Sequence, residues 1–337
     1  MTHNKKKLPR LSVIIPAFNS AGTMAACLNA VRACGYDDYE CLVVDDGSSD
    51  ATADLAGRLA DRVLKLDRNH GRSHARNTGA RAARGDILVF VDSDILIRPD
   101  TLLKIAEFFD SRPAYDALTG LLAPGHPGGG FFSRYKNIYM NFRFRRLRSP
   151  VTFLYGGICA VRRQAWEPFD CRMDSGEDTE LGQRLVSSGK LIGFCADLEV
   201  VHAKQYGLFS LLKNDWRVPF SWAGIFVRRR GWRQFRARPG RGFAHAPLEQ
   251  LVSVILAPLI VAGSAVCWGI PGLISFTIVL TLVWGGLNLP FLVFLCRQTG
   301  LLSGLAGIVL TLLDQTAMAA GILGGFAFSG KQRGGGS

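Results

Sequence analysis

Two acids one residue apart, Asp92 and Asp94, follow the apolar run Ile87-Leu88-Val89-Phe90-Val91. Carboxylates this close do not easily stay ionised together without a cation between or beside them. The simplest compensation is a hard divalent ion, magnesium or manganese, bound through oxygen and shared with a substrate phosphate. The competing assignment for the same residues is a solvated turn that caps a helix beginning near Asp100. Further acids stand in Asp45-Asp46-Gly47-Ser48-Ser49-Asp50, after another apolar run, and in Gly176-Glu177-Asp178-Thr179-Glu180.

The elements around these acids are legible in outline. Ile87–Val91 is short, β-branched and preceded by Gly85, which predicts a buried strand with the acids at its carboxyl end. Ligands gather at that end in open α/β sheets. Leu11–Pro16 reads as a first strand ended by a proline and the turn residues Asn19 and Ser20, with a helix over Gly22–Ala33. Glu40–Val44 is a second strand, followed by a helix over Ala51–Leu59. Arg62–Leu66 is a third, followed by an Ala- and Arg-rich helix over Gly71–Arg84. Four alternations with turn residues and acids after the strands predict an α/β class. Its expected form is a doubly wound, mostly parallel sheet of nucleotide-binding type. Neither GxGxxG after the first strand nor GxxxxGK[ST] occurs, which disfavours a Rossmann dehydrogenase and a P-loop ATPase.

Beyond Gly120 the alternation is expected to stop. Pro124–Gly130 reads as a loop, and Phe131–Arg148 as an interfacial or substrate-covering helix that mixes aromatics with Arg and Lys. A strand is expected over Gly156–Val161 and a helix opening with acids over Asp178–Ser188. Leu191–Phe194 and Glu199–His202 read as two short strands. Tyr206–Val227 is amphipathic, offering Phe209, Leu212, Trp216, Phe220 and Trp222 to a membrane surface.

The carboxy-terminal third has a different solvent. Leu251–Ile270, Leu273–Cys296 and Leu301–Phe328 are apolar, and only Arg297 and Asp314 are charged between Leu251 and Phe328. About 20 apolar residues span a bilayer core as a helix, so three membrane helices are expected, one of which could be re-entrant. Asp314 either serves a function there or bonds to a neighbouring helix. The formal net charge of +13 concentrates in 134–148 and 228–241, both interleaved with aromatics. Beside membrane helices this favours anionic lipid over nucleic acid as the partner. It also puts residues 1–245 on the cytoplasmic side of a cell membrane. Met1–Arg10 is polar and Lys-rich, so no signal sequence is expected. Eight cysteines without a CxxC pair are expected to be reduced core residues. The expected domains are 1–205, an interfacial and basic segment 206–248, a membrane domain 249–330, and a polar tail 331–337 whose Gly-Gly-Gly-Ser end is of the kind a fusion can leave.

Four ordered segments carry a family resemblance. They are Val13–Asn19, Val43–Ser48, Gly71–Gly85 leading into Val91-Asp92-Ser93-Asp94, and Gly176–Leu185. Together they resemble glycosyltransferase family 2, of GT-A fold, over roughly residues 8–205. The resemblance implies that Pro16, Ala17, Asn19 and Asp46 hold the nucleotide, an Asp being able to accept from a base N–H or a ribose hydroxyl. Asp46 also suits a turn and helix cap. Arg72 and Asn77 are implied near the diphosphate, while Arg76 and Arg81 are expected in solvent. Asp94, with Asp92 beside it and His202, is implied in binding magnesium or manganese, and Asp92 also in contacting sugar or ribose. Asp178 is implied as the catalytic base, with Glu177 its alternate and Glu180 orienting the acceptor.

The QxxRW motif of processive members is absent, which favours transfer of one sugar per acceptor. The expected activity is thus hexosyl transfer with inversion, from a UDP- or GDP-sugar to a lipid or lipid-linked acceptor. The alternatives are a polyprenyl-phosphate glycosyl synthase and a non-catalytic nucleotide-sugar-binding assembly protein.

Overall fold

The computed structural model describes residues 8–228, 246–266 and 270–331. They fall into two compact units: 8–127 with 144–204, and 128–143 with the described residues beyond 204. The first unit contains β1 (Leu11–Ala17), β2 (Tyr39–Asp45), β3 (Arg62–Lys65), β4 (Ile87–Val91), β5 (Ile95–Leu96), β6 (Ala117–Leu122), β7 (Ile158–Arg162) and β8 (Ile192–His202). Its helices are α1 (Ala21–Arg32), α2 (Thr52–Leu59), α3 (Arg72–Ala82) and α4 (Thr101–Ser111). After α5 (Phe131–Phe144), which lies mostly in the second unit, comes α6 (Glu177–Ser187).

The strands form one sheet in the order β3-β2-β1-β4-β7-β6-β8-β5. β1 pairs in parallel with β2 and β4, and β2 with β3, as expected for a doubly wound half. Every residue of β1 and β4 is buried, which is why both read as continuous apolar runs instead of alternating ones. The other half is mixed: β7 runs antiparallel to β4 and β6, while β6 and β8 are parallel. Here the structure departs from expectation. β6 (ALTGLL) passes straight through Gly120, because its pairing with β7 and β8 outweighs the weak strand propensity of Ala, Gly and Leu. The two short strands expected near residue 195 are one strand, β8, whose pairing with β6 shifts register between Thr119 and Leu121.

In the second unit α5 is joined by α7 (Leu208–Arg228), α8 (Leu248–Val266), α9 (Pro271–Thr299) and α10 (Leu301–Lys331). The last three are long and apolar enough to cross a membrane, over Leu248–Val266, Gly272–Thr299 and Leu301–Phe328. They are tied together by polar side chains from each. Trp284 Nε1 and Ser253 Oγ both donate to Gln315 Oε1, at 2.6 and 2.9 Å, and Gln315 Nε2 donates to Asn288 Oδ1 at 2.8 Å. Such bonds hold apolar helices together where burial of oil in oil gives no drive. α7 is not merely laid on a surface. A Cβ on Gly321 or Gly325 of α10 would stand 2.1 or 2.3 Å from the carbonyl oxygens of Trp216 and Phe220, so the two helices touch backbone to backbone. Asp314 is fully buried on α10 and accepts from Tyr135 Oη of α5 at 3.3 Å, a partner outside the apolar stretches. Cys27, Cys34, Cys41 and Cys159 are buried free thiols as expected, but Cys171 is exposed. Cys267, most of the basic stretch 228–241 and nearly all of the tail lie outside the described residues.

Candidate active site

The sheet register brings Asp94 to His202. Ile95 pairs with His202 across β5 and β8, and the Ala203 N–H donates to the Asp94 carbonyl at 2.8 Å. His202 Nε2 then stands 3.4 Å from Asp94 Oδ2. Burial pushes the Asp94 carboxyl up, but His202 and then Lys204 pull it further down, so it stays below the usual carboxylate range. A carboxylate oxygen and an imidazole nitrogen this close are a natural pair of ligands for manganese or magnesium. Among the described residues no group of three His, Cys, Asp or Glu is placed to hold a metal.

Asp92 faces a different partner. Its Oδ1 accepts from Arg76 Nη2 at 2.6 Å, and Arg76 Nη1 donates to Glu177 Oε1, also at 2.6 Å. Arg76 is fully buried, with its guanidinium 5.3 Å from the centroid of the Phe169 ring. Arg72, one turn earlier on α3, adds a 3.2 Å contact from Nε to the same Glu177 oxygen and donates to the Asp174 carbonyl. The expectation of a solvated Arg76 is therefore wrong; Arg76 is the central cation of the site. Glu177, buried at the start of α6, would be pushed up by burial, yet Arg76 and Arg72 hold it below the usual range. That makes Glu177 a counter-ion, poorly suited to take a proton. Glu177 Oε2 and Arg76 Nε are buried without a hydrogen-bond partner.

Asp178, the next residue, has the opposite electrostatics. Its two oxygens accept from the backbone N–H groups of Gly156 and Thr179, both at 2.6 Å. Burial, then the charge of Glu177, push its pKa up to about 6, against the pull of Arg76 and the two backbone donors. A Cβ on Gly156 would lie 3.0 Å from both Asp178 Oδ2 and Arg76 Nη2. Glycine there keeps the ground beside both groups open.

The remaining expected residues sort by their bonds. Asn19, at φ 48°, clips the turn after β1 to that after β2, accepting from Ser49 N–H at 2.9 Å and donating its own N–H to Ser48 Oγ. Pro16 and Ala17 are buried at the end of β1. Asp46 is buried too, and its oxygens accept from the N–H groups of His70 and Gly71 at 2.9 and 2.8 Å. It therefore fixes the loop that leads into α3, whatever else it touches. Asn77 does not join the acids. It donates to the Phe169 carbonyl at 2.9 Å and accepts from the Phe169 N–H at 2.8 Å, so the polar groups expected at a diphosphate are engaged within the fold. Glu180 is bound by Arg184 at 3.1 Å.

The family Glycosyl transferase family 2 matches residues 12–168. Glycosyltransferase AglE of Haloferax volcanii is 31% identical over 222 residues, covering 63% of this chain and 72% of that protein. The chain belongs to glycosyltransferase family 2. As a family member it is a glycosyltransferase. The succinoglycan biosynthesis protein ExoO of Rhizobium meliloti is 38% identical over 118 residues, about a third of either chain. The mannosyltransferase PcManGT from Pyrobaculum calidifontis, solved with GDP-Man and Mn2+, is similar in structure with a TM-score of 0.56 at 19% identity. That likeness covers 97% of this chain and 89% of the mannosyltransferase and establishes a GT-A-like fold.

Proposed function

We propose that this glycosyltransferase moves one sugar from a UDP- or GDP-sugar to a hydroxyl of a lipid or lipid-linked acceptor, inverting the anomeric centre. The observation that carries the reading is Asp178: a buried carboxyl pushed up to about 6, beside a buried arginine already engaged by two other acids. A general base works best with a pKa near the working pH. When two carboxyls are driven apart in pKa, their roles divide. Here Glu177 stays a charged anchor and Asp178 is the one able to accept a proton.

In this scheme an Asp178 oxygen takes the acceptor hydroxyl proton as the hydroxyl oxygen bonds to the anomeric carbon. The bond from that carbon to the diphosphate breaks on the opposite face, and its electron pair leaves with the nucleoside diphosphate. Arg72, half-exposed beside the cluster, suits the diphosphate charge. Asp94 and His202 fit a divalent ion as a two-residue set completed by diphosphate oxygens and water. Such an ion, when bound, would neutralise charge on the departing diphosphate. Asp92, turned to Arg76, is left outside that set. The three apolar helices and the basic residues before them support a lipid acceptor met on the cytoplasmic face.

The test is a screen of nucleotide sugars with purified full-length protein, read as release of nucleoside diphosphate with manganese, magnesium or chelator. Asp178→Asn should lose transfer and keep nucleotide affinity. Normal turnover in that variant would sink the assignment of the base and favour an acceptor phosphate, which needs none.

A further inference from the structure

α5 carries three cations. Arg134 donates to the Gln298 carbonyl at 3.2 Å, and Lys136 is paired with Asp215. Arg143 has a side-chain hydrogen bond to Tyr139 but no carboxylate partner among the described residues. It is only 6% exposed, its guanidinium lies 5.1 Å from the Tyr139 centroid and 5.8 Å from that of Phe142, and its Nε is buried without a hydrogen-bond acceptor. No described carboxylate pairs with it. The stretches outside the described residues contain no Asp or Glu at all. Asp215 and Asp314, acids of the same unit, are engaged by Lys136 and by the Tyr135 hydroxyl.

A buried cation whose side-chain hydrogen-bond partner is a tyrosine hydroxyl and not a carboxylate is costly, and an anion beside it removes the cost. The surroundings suit a polar head. The Tyr139 hydroxyl accepts from Gln250 Nε2 at 2.6 Å, while Gln250 Oε1 is buried with no partner. Gln250 lies in the first turn of α8, and Phe291, which packs on Tyr139 and Phe142, lies in the last third of α9. The site is therefore at the end of the apolar helices where one begins and the next stops, the level of lipid heads and not of tails. A guanidinium there matches a phosphate through paired N–H donors.

We propose that Arg143, with Tyr139 and Gln250, forms a binding site for the phosphate-bearing head of a membrane lipid. This deepens the lipid-acceptor reading above and rests on it only in taking that lipid for the acceptor.

The experiment measures binding of dioleoyl phosphatidic acid to the full chain in detergent, with dioleoylglycerol and inorganic phosphate as comparison probes. Phosphatidic acid should bind, dioleoylglycerol should not, and Arg143→Gln should weaken binding about tenfold or more, the scale of one charge-assisted contact. Arg143→Lys should keep most of the affinity. Unchanged nucleotide binding in both variants shows that the chain is folded. Equal binding by Arg143→Gln and the parent protein overturns the site. Competition by inorganic phosphate at matching concentration overturns the lipid as its source. Because binding is read without turnover, an inactive donor screen with Arg143-dependent lipid binding sinks only the catalytic reading, and the converse sinks only this one.

Discussion

Replacing Arg76 by methionine keeps most of the side chain's length and removes its charge. In the protein that charge faces Glu177 and Asp92 at 2.6 Å each, with Glu177 only 2% exposed. The variant leaves Glu177 to Arg72 alone, at 3.2 Å and half in solvent. Breaking one side of a buried ion pair costs about 3–5 kcal/mol, more than a surface pair by several-fold. Cys159 reports this directly, because it is a buried thiol on β7, within the first unit. Its labelling by a thiol reagent under native conditions, located by mass spectrometry, should speed up by roughly two to nearly four orders of magnitude, the same energy expressed as an opening equilibrium. Arg76→Met combined with Glu177→Gln should recover much of the loss, since the stranded charge is gone. A change of less than about fivefold in labelling, or no recovery in the double variant, would show that the buried triad is not what holds this region.

The catalytic pH profile should show an acid limb near 6 in kcat/KM, rising with pH as Asp178 ionises. Glu177→Gln should move that limb down, since it removes a neighbouring charge and releases Arg76 toward Asp178; a limb that stays in place argues for another base. Stability should follow the two carboxyls in opposite senses. Asp178, raised, favours folding below the ordinary aspartate range near 3.9, a gain lost as pH rises toward 6. Glu177, lowered, favours folding above the ordinary glutamate range near 4.3, a gain lost as pH falls below it. Asp94→Asn and His202→Ala should each weaken metal-dependent nucleotide binding about tenfold or more while leaving metal-free binding alone, and equal loss without metal would refute the ligand pair. Asn77→Ala strands the Phe169 N–H and carbonyl and should cost about 1–3 kcal/mol, read at Cys159. A tenfold loss of nucleotide affinity without faster labelling would return Asn77 to the diphosphate.

What could be read in the chain depended on whether a residue's task was local. The strands β1, β2 and β4 are continuous apolar runs ended by acids or turn residues, and a parallel sheet buried on both faces leaves that mark. β6 left none, because its stability comes from β7 and β8 and its own residues are ordinary. Asp94 and His202 stand out by their motif places, yet only the β5–β8 register puts them within 3.4 Å. Arg76 is not legible as buried, because an arginine in a polar, Arg-rich helix reads as solvated. The usable signal is the residues around it: Ala75, Gly79 and Ala80 give α3 a small-residue face, which lets the helix settle onto the sheet and takes Arg76 under with it.

That burial reorganises the chemistry of the acids. Three carboxyls, Asp92, Glu177 and Asp178, compete for one buried guanidinium. Arg76 spends its two terminal nitrogens on Asp92 and Glu177, leaving Asp178 with backbone donors and a charged neighbour. The raised carboxyl is therefore a consequence of where the arginine's bonds go. Adjacent acids at a helix start would otherwise both be lowered by the helix end. Here one is anchored and the other is kept close to neutral pH. The Asp-Ser-Asp segment follows the same division, since Asp92 turns inward to the arginine and Asp94 outward to His202. One buried cation thus separates Asp178, the proposed base, from Asp94, a proposed metal ligand that stands 84 residues away in the sequence.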